Sequence, residues 1–143
     1  QHLIKRLNKF AHSADQVQIE FDLNEVLLNL VDLMQRFADM KRIELDFRPA
    51  TDEVRCTSNP FELQHIVFRC CRIFFDSAEE GSAIVLEVKK GADKDIVIVS
   101  CSDISDEKME QDELKSIKTL AENQDWDFET TAKERTTSFV LNM

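Results

Sequence analysis

Apolar residues recur along this chain at two spacings, one typical of helices and the other typical of strands. Spacings of three and four predict helices over residues 1–14, 23–41, 60–74 and 113–123. Alternating or short apolar runs predict strands over residues 17–21, 43–47, 54–57, 83–88, 96–101, 126–130 and 137–141. The helices interrupt strands that are mostly antiparallel. We therefore predict an α+β fold after a short N-terminal helix: a two-layer α/β sandwich with helices on one face of a mixed, mostly antiparallel sheet.

Local signals mark where two of these helices begin. Asp22 is an N-cap residue with Glu25 three positions later, which resembles a capping box. Asn59 precedes Pro60, and this pair combines a capping side chain with a proline in the first turn. Gly91 lies between two apolar runs, so residues 90–95 are predicted to form the turn of a hairpin.

The length and charge of the chain narrow its possible functions. With 143 residues and a formal net charge of −10, the chain can form one acidic domain with a sizeable core. The acidic charge argues against nucleic acid and anionic membranes as partners, because both bind basic surfaces. No apolar run approaches the roughly 18 residues of a membrane span, and no signal peptide is visible. The chain begins with Gln1, and we expect it to be a fragment of a longer protein.

The cysteines show no CxxC spacing that would indicate a metal site. The four cysteines are Cys56, Cys70, Cys71 and Cys101. Cys70 and Cys71 are neighbours in a predicted helix and point in different directions, so they cannot easily share a metal ion. We expect buried free thiols in a reducing cytoplasm.

Several phrases of the sequence follow one another in a recognisable order. They are FDLNEVLLNLVDLM, ADMKRIELDF, NPFELQHIVFRCCRIFFDSA, DIVIVSCSD and TTSFVLNM. In this order they resemble the ATP-binding catalytic domain of sensor histidine kinases, which has the Bergerat-type fold. Residues 1–14 are similar to the end of the second helix of the dimerisation and phosphotransfer hairpin in that family. The resemblance implies a helix end over residues 1–14 and a degenerate histidine-kinase-like ATPase domain over residues 15–143.

Residues 1–14 carry an apolar stripe that nothing nearby in the sequence obviously covers. The stripe consists of Leu3, Leu7, Phe10 and Ala14. It belongs either to a helical hairpin that dimerises in the parent protein or to a short helix folded back on its own domain. The resemblance favours the hairpin, because four-helix dimerisation bundles need such seams.

The resemblance also implies where a nucleotide would bind. The family carries two asparagines on the helix that matches residues 60–74, and the second is a Mg²⁺ ligand. The matching positions here are Arg69 and Ile73. A hydrocarbon side chain cannot coordinate a hard cation that prefers oxygen, so Ile73 removes this ligand. Arg69 is expected to be an exposed helix arginine or, less often for such a position, a point charge that meets a phosphate.

Asp103 matches the aspartate that reads the adenine amino group in the family. It either retains a purine contact or is an aspartate at a strand end or cap. The glycines that would follow it are missing, because Ile104, Ser105 and Glu107 stand at the corresponding positions. Backbone approach to a ligand is therefore restricted at this point.

Glycine is nearly absent from the whole chain. The two glycines, Gly81 and Gly91, both fall in predicted turns. In nucleotide sites glycine lets backbone N–H groups close around a phosphate. The second glycine box of the family is replaced by residues 111–116, in a region where acidic residues outnumber lysines. A triphosphate would meet net negative charge here without glycine amides to offset it.

The remaining candidates for catalysis are weak. His2, His12 and His65 each lack the acidic neighbour that follows a phosphoacceptor histidine in the family. We expect His12 to be solvated and His65 to lie on a helix surface or to have a hydrogen-bond partner. No nucleophile elbow, HExxH motif or EF-hand loop is present. We therefore expect no catalytic residue, no metal and no nucleotide cofactor, with the vestigial nucleotide positions at Arg69, Ile73 and Asp103.

These observations favour a pseudokinase: a non-catalytic regulatory or docking domain of two-component signal transduction. The expected partners are its own dimerisation helices or a response regulator. We expect a cytoplasmic domain within a homodimeric parent protein, which could itself be membrane-anchored. The main alternative is a divergent but active histidine kinase domain that binds Mg-ATP through Arg69 and Asp103. Further alternatives are a histidine phosphotransfer protein of a phosphorelay and an unrelated α/β fold.

Overall fold

The structure is a computed structural model that describes residues 17–104 and 111–143. The helix predicted over residues 1–14 lies outside the described residues, and so does the middle of the acidic stretch 102–112. None of the described helices combines the length and the apolar character needed to cross a membrane.

The described residues form three helices and seven strands in the predicted order. The helices are α1 (Leu23–Lys41), α2 (Pro60–Ser77) and α3 (Gln111–Asn123). The strands are β1 (Ile19–Asp22), β2 (Glu44–Arg48), β3 (Arg55–Ser58), β4 (Ala83–Lys90), β5 (Asp95–Ser102), β6 (Asp127–Lys133) and β7 (Thr136–Asn142). Strand β4 runs further than predicted, because Lys89 and Lys90 pair with Ile96 and Asp95 across the hairpin.

Five of the strands form one mixed sheet in the order β2-β4-β5-β7-β6. Strands β2 and β4 are parallel, and the other neighbours in this sheet are antiparallel. The predicted α+β class and mixed sheet are confirmed. Strands β1 and β3 instead pair with each other in a separate two-stranded sheet, which the sequence pattern did not predict. Strand alternation carries no information about partners, so this pairing is visible only in three dimensions.

The hydrophobic core lies between the helices and one face of the five-stranded sheet. Alternate residues of β4, β5 and β7 are buried, as expected when helices cover a single face. The fully buried ring of Phe74 on α2 stacks on Phe139 of β7, with centroids 4.7 Å apart and planes 10° from parallel. Phe128 of β6 packs on the same Phe139 ring at 5.9 Å. Helix α2 is thereby held against the sheet at β7, the strand next to its β6 edge.

Two side chains cap helices where the sequence predicted. Asp22 accepts a hydrogen bond from the Asn24 amide at 3.2 Å and another from the Val54 amide at 3.1 Å. It therefore caps α1 and also holds the segment that leads into β3. Asn59 is buried and accepts hydrogen bonds from the amides of Phe61 and Glu62, both at 3.1 Å, at the start of α2.

Loss of the Asp22 side chain should destabilise the fold in two places. We expect Asp22→Ala to lower the free energy of unfolding by about 1–3 kcal/mol, since both a helix cap and a link to the β3 segment are lost. Asp32→Ala is the matched control, because Asp32 is exposed in the middle of α1. Urea denaturation followed by circular dichroism measures both changes. Equal stability of the Asp22 and Asp32 variants would contradict the double role.

Candidate functional site

The three candidate positions lie at the side of α2 that faces α3 and at the end of β5. Helix α2 packs against both α1 and α3, so it lies in the middle of the helical layer. Arg69 and Ile73 are one helical turn apart on α2, and Asp103 directly follows β5. The environments of the three side chains differ sharply.

Arg69 forms an ion pair with Glu113 that links α2 to α3. The Arg69 Nε donates to Glu113 Oε1 at 2.7 Å, and Nη2 donates to Oε2 at 2.7 Å. Nη2 also donates to the Ser116 hydroxyl at 3.0 Å. The carboxylate lies in the first turn of α3, and Ser116 follows it on the same face. Two parallel hydrogen bonds between a guanidinium and a carboxylate make a stronger ion pair than a single one does.

This ion pair is partly shielded from water. The side chains of Arg69 and Glu113 are 21% and 27% exposed. The expectation of an exposed surface arginine was therefore wrong, because α3 supplies a carboxylate that covers the guanidinium. The hydrogen bonds from Arg69 lower the pKa of Glu113 below its ordinary value of 4.5 despite partial burial. The same hydrogen bonds raise the pKa of Arg69 further, so both groups are charged at neutral pH.

Ile73 is part of the hydrophobic core. Its side chain is only 7% exposed and belongs to the buried cluster that also contains Phe74 and Cys70. Aliphatic packing therefore occupies the position where a metal-binding amide is expected in the kinase family. No oxygen donor is available from this side chain.

Asp103 lies on the surface, directly after the end of β5. Its backbone is in the left-handed region, with φ at 62°, and its amide donates to the Arg135 carbonyl at 2.7 Å. The residue is exposed and lines an open depression of about 450 Å³ together with Glu79 and Glu80. Within the described residues it makes no hydrogen bond or ion pair with Arg69. Neighbouring acids make this depression unfavourable for phosphate.

The other groups with possible chemistry have ordinary structural roles. The His65 ring lies on the surface of α2, 3.2 Å from the Glu62 carboxylate. The four cysteines are free, and three of them are buried. Burial raises the pKa of Cys71 to about 12, so this thiol stays protonated at neutral pH. Among residues 17–104 and 111–143, no group of three metal-ligating side chains is close enough to hold a metal ion.

Comparison with known proteins identifies the fold. No protein-family model matches the chain, and no curated protein sequence matches it. Several solved structures match the chain in fold. The catalytic domain of histidine kinase ThkA aligns with a TM-score of 0.76 at 17% identity, covering 88% of this chain and 95% of that domain.

Two larger structures give similar alignments. ThkA in complex with the response regulator TrrA aligns with a TM-score of 0.76 at 15% identity, covering 99% of this chain and 48% of that chain. Full-length ShkA in complex with AMPPNP aligns with a TM-score of 0.75 at 12% identity, covering 87% of this chain and 30% of that chain. The chain therefore has the fold of histidine kinase catalytic domains, a histidine-kinase-like ATPase fold. At such low identity, the similarity establishes the fold and not the activity.

Sequence reasoning missed Glu113 and Ser116 as partners of Arg69. The sequence pattern placed both residues in the glycine-free stretch 111–116 and predicted no partner for either of them. The available signal was an arginine flanked on α2 by buried residues such as Cys70, since a charge in such a place needs a counter-ion. Which of the many acids supplies it depends on how α3 docks.

Neutralising Glu113 should weaken the contact between α2 and α3. We expect Glu113→Gln to lower the free energy of unfolding by about 1–2 kcal/mol, because Arg69 loses a charge-assisted, bidentate partner. Glu122→Gln is the control, since Glu122 is exposed on the same helix. In a double-mutant cycle with Arg69→Gln, the effects of the two substitutions should be far from additive. Simple additivity would contradict a direct coupling between the two side chains.

The ion pair should also make stability depend on pH. Because the folded-state pKa of Glu113 is lowered, its contribution is complete above the ordinary value of 4.5 and is lost as the pH falls through the folded-state pKa. The stability difference between wild type and Glu113→Gln should therefore shrink on acidification. Urea denaturation at neutral pH and at pH values below 4.5 measures this difference. A difference that stays constant or grows in acid would show the opposite linkage.

Proposed function

We propose that this chain is a non-catalytic regulatory or docking domain of two-component signal transduction, in which the nucleotide site of the histidine kinase fold has been lost. The observation that carries the proposal is the Arg69–Glu113 ion pair beside a buried Ile73. These side chains stand where the resemblance implies two asparagines that serve nucleotide and Mg²⁺. A binding site for a polyanion has become a contact between two helices.

The chemistry of this contact is unfavourable for ATP. The Glu113 carboxylate already occupies the Nε–Nη2 edge of the Arg69 guanidinium, so a phosphate that binds this edge must displace it. The released Glu113 would then lie beside the phosphate as a second negative charge. Ile73 would meanwhile leave Mg²⁺ without a protein oxygen at this position. Each of these effects weakens binding in the same direction.

The two glycines offer no substitute for the missing phosphate loops. Gly81 follows α2 and has a φ of 87°, a backbone conformation that residues with a side chain rarely adopt. Gly91 lies in the β4–β5 turn, where an added Cβ would clash with the Lys94 carbonyl oxygen. Both glycines thus serve turns around β4, away from residues 104–116, which contain none. This distribution supports the loss of the nucleotide loops.

The proposed partners follow from the resemblance and from the comparisons. ThkA, which shares this fold, has been solved in complex with the response regulator TrrA. We propose a response regulator or the chain's own dimerisation helices as the partner, within a homodimeric parent protein. In this organisation residues 1–14 end the dimerisation and phosphotransfer helix, and residues 15–143 form the degenerate ATPase domain. The domain would act by presenting a surface and would not transfer phosphate.

A thermal-shift measurement with Mg-ATP and with Mg-AMPPNP tests the loss of nucleotide binding. We expect no change in melting temperature at millimolar nucleotide. A ligand present at 100 times its Kd would stabilise the protein by about 2.7 kcal/mol and raise the melting temperature by several degrees. ShkA, solved with AMPPNP, is the positive control. A shift that disappears in Arg69→Gln would overturn the proposal and favour a divergent, active kinase that binds through Arg69 and Asp103.

A further inference from the structure

Strand β6 ends one side of the five-stranded sheet and has an edge to which no described strand is bound. In the order β2-β4-β5-β7-β6 it pairs with β7 alone among the described strands. Its seven residues follow the β7 register without a bulge, and all of them except Phe128 are exposed. A regular edge of this length, without proline or glycine, presents backbone groups that a further strand can bind.

The turn after β6 fixes which backbone groups point to this free edge. Its two central residues, Glu134 and Arg135, have positive φ values of 51° and 70°, as in a type I′ turn. In such a hairpin Lys133, the last residue before the turn, exchanges backbone hydrogen bonds with its partner on β7. Because this pattern alternates along the strand, the amides and carbonyls of Thr130 and Ala132 point away from β7.

The outer face of β6, away from the helices, carries opposite charges on either side of a threonine. Side chains alternate between the two faces of a strand, so Glu129, Thr131 and Lys133 share this outer face. Among the described residues, neither Glu129 nor Lys133 takes part in an ion pair. The ion pair that β6 does form joins Asp127 to Lys94 at 2.9 Å.

A second copy of β6 in antiparallel orientation brings these charges together in pairs. When Thr131 lies opposite Thr131 of the second copy, Glu129 faces the second copy's Lys133, and Lys133 faces the second copy's Glu129. Thr130 then lies opposite the second copy's Ala132, and the two strands form about four backbone hydrogen bonds. Opposite charges and paired threonines across neighbouring strands stabilise a sheet.

Other arrangements of two β6 strands fit less well. A parallel copy in the same register places Glu129 opposite Glu129 and Lys133 opposite Lys133, and like charges in such pairs are destabilising. An antiparallel copy centred on Thr130 places Lys133 opposite Asp127, whose carboxylate is already bound to Lys94. The antiparallel register centred on Thr131 therefore uses the two charges that the domain itself leaves available.

The opposite edge of the sheet, at β2, is less suited to such pairing. Strand β2 has five residues and is followed by Pro49, which cannot donate a backbone hydrogen bond. The charge at its end is also engaged already, because Arg48 forms an ion pair with Asp46 at 2.9 Å. Length and charge thus single out β6.

We propose that two copies of this chain pair through their β6 edges, antiparallel and centred on Thr131, so that a single sheet runs through both domains. The contact has two-fold symmetry, as most contacts between identical chains do. A contact between two short strands is small, so the association is weak and reversible. It lies apart from the proposed dimerisation helix and does not rest on the proposed function.

Sedimentation equilibrium of the 143-residue chain tests the proposal at protein concentrations up to about 1 mM, as a small interface requires. The wild type should dimerise reversibly. Glu129→Lys and Lys133→Glu should each weaken association by about tenfold or more, because two pairs of opposite charges become pairs of like charges. An equimolar mixture of these two variants should associate as the wild type does, since every lysine then faces a glutamate.

Glu44→Lys is the matched control, because Glu44 is exposed on β2 at the other edge of the sheet. It changes the net charge by the same amount as Glu129→Lys and should leave association unchanged. A monomeric wild type at every concentration would overturn the proposal. A dimer that neither charge reversal weakens would overturn it too, and so would a mixture of the two variants that fails to associate.

A cysteine at the centre of the contact tests the register independently of any association through residues 1–14. Under mild oxidation Thr131→Cys should link two copies, since Cα atoms in a pair of this kind lie about 4.5 Å apart. Glu129→Cys should link poorly, because two copies of position 129 lie about 13 Å apart along the strands. The wild type reports any link through its four native cysteines. Equal linking of the two variants would exclude the register centred on Thr131.

Discussion

One partly shielded ion pair links α2 to α3 and joins residues that lie 44 positions apart in the sequence. Arg69 and Glu113 meet at two points at 2.7 Å, and Ser116 adds a third hydrogen bond. In water such a pair contributes little, but here both side chains are largely covered. The Nε–Nη2 edge of the guanidinium and the carboxylate satisfy each other. The ion pair therefore helps to hold α3 against α2.

Helix α2 is also supported by the sheet and by α1. Phe74 stacks on Phe139 of the sheet, and Phe68 meets Phe37 of α1. Ile73 adds aliphatic packing on the same helix. The architecture rests on this packing, whereas function lies in particular side chains and not in the architecture.

The order of elements and the helix caps followed from local patterns, whereas pairing and docking did not. Asp22 and Asn59 cap their helices as predicted, since capping involves residues only a few positions apart. The pairing of β1 with β3 was not predicted, because these strands are separated by α1 and β2. Arg69 was expected at the surface, and its burial depends on α3, which lies more than 40 residues further along the chain.

The sequence by itself determined which side-chain chemistry stands at the candidate positions. The side chain at position 73 is a hydrocarbon and offers no oxygen ligand, and residues 104–116 contain no glycine. Only the tertiary structure decided how the three side chains are placed: Arg69 in an ion pair, Ile73 in the core and Asp103 at the surface. The reason is physical. The composition of a side chain sets what it can bind, but the neighbours that reach it are chosen when distant segments pack together.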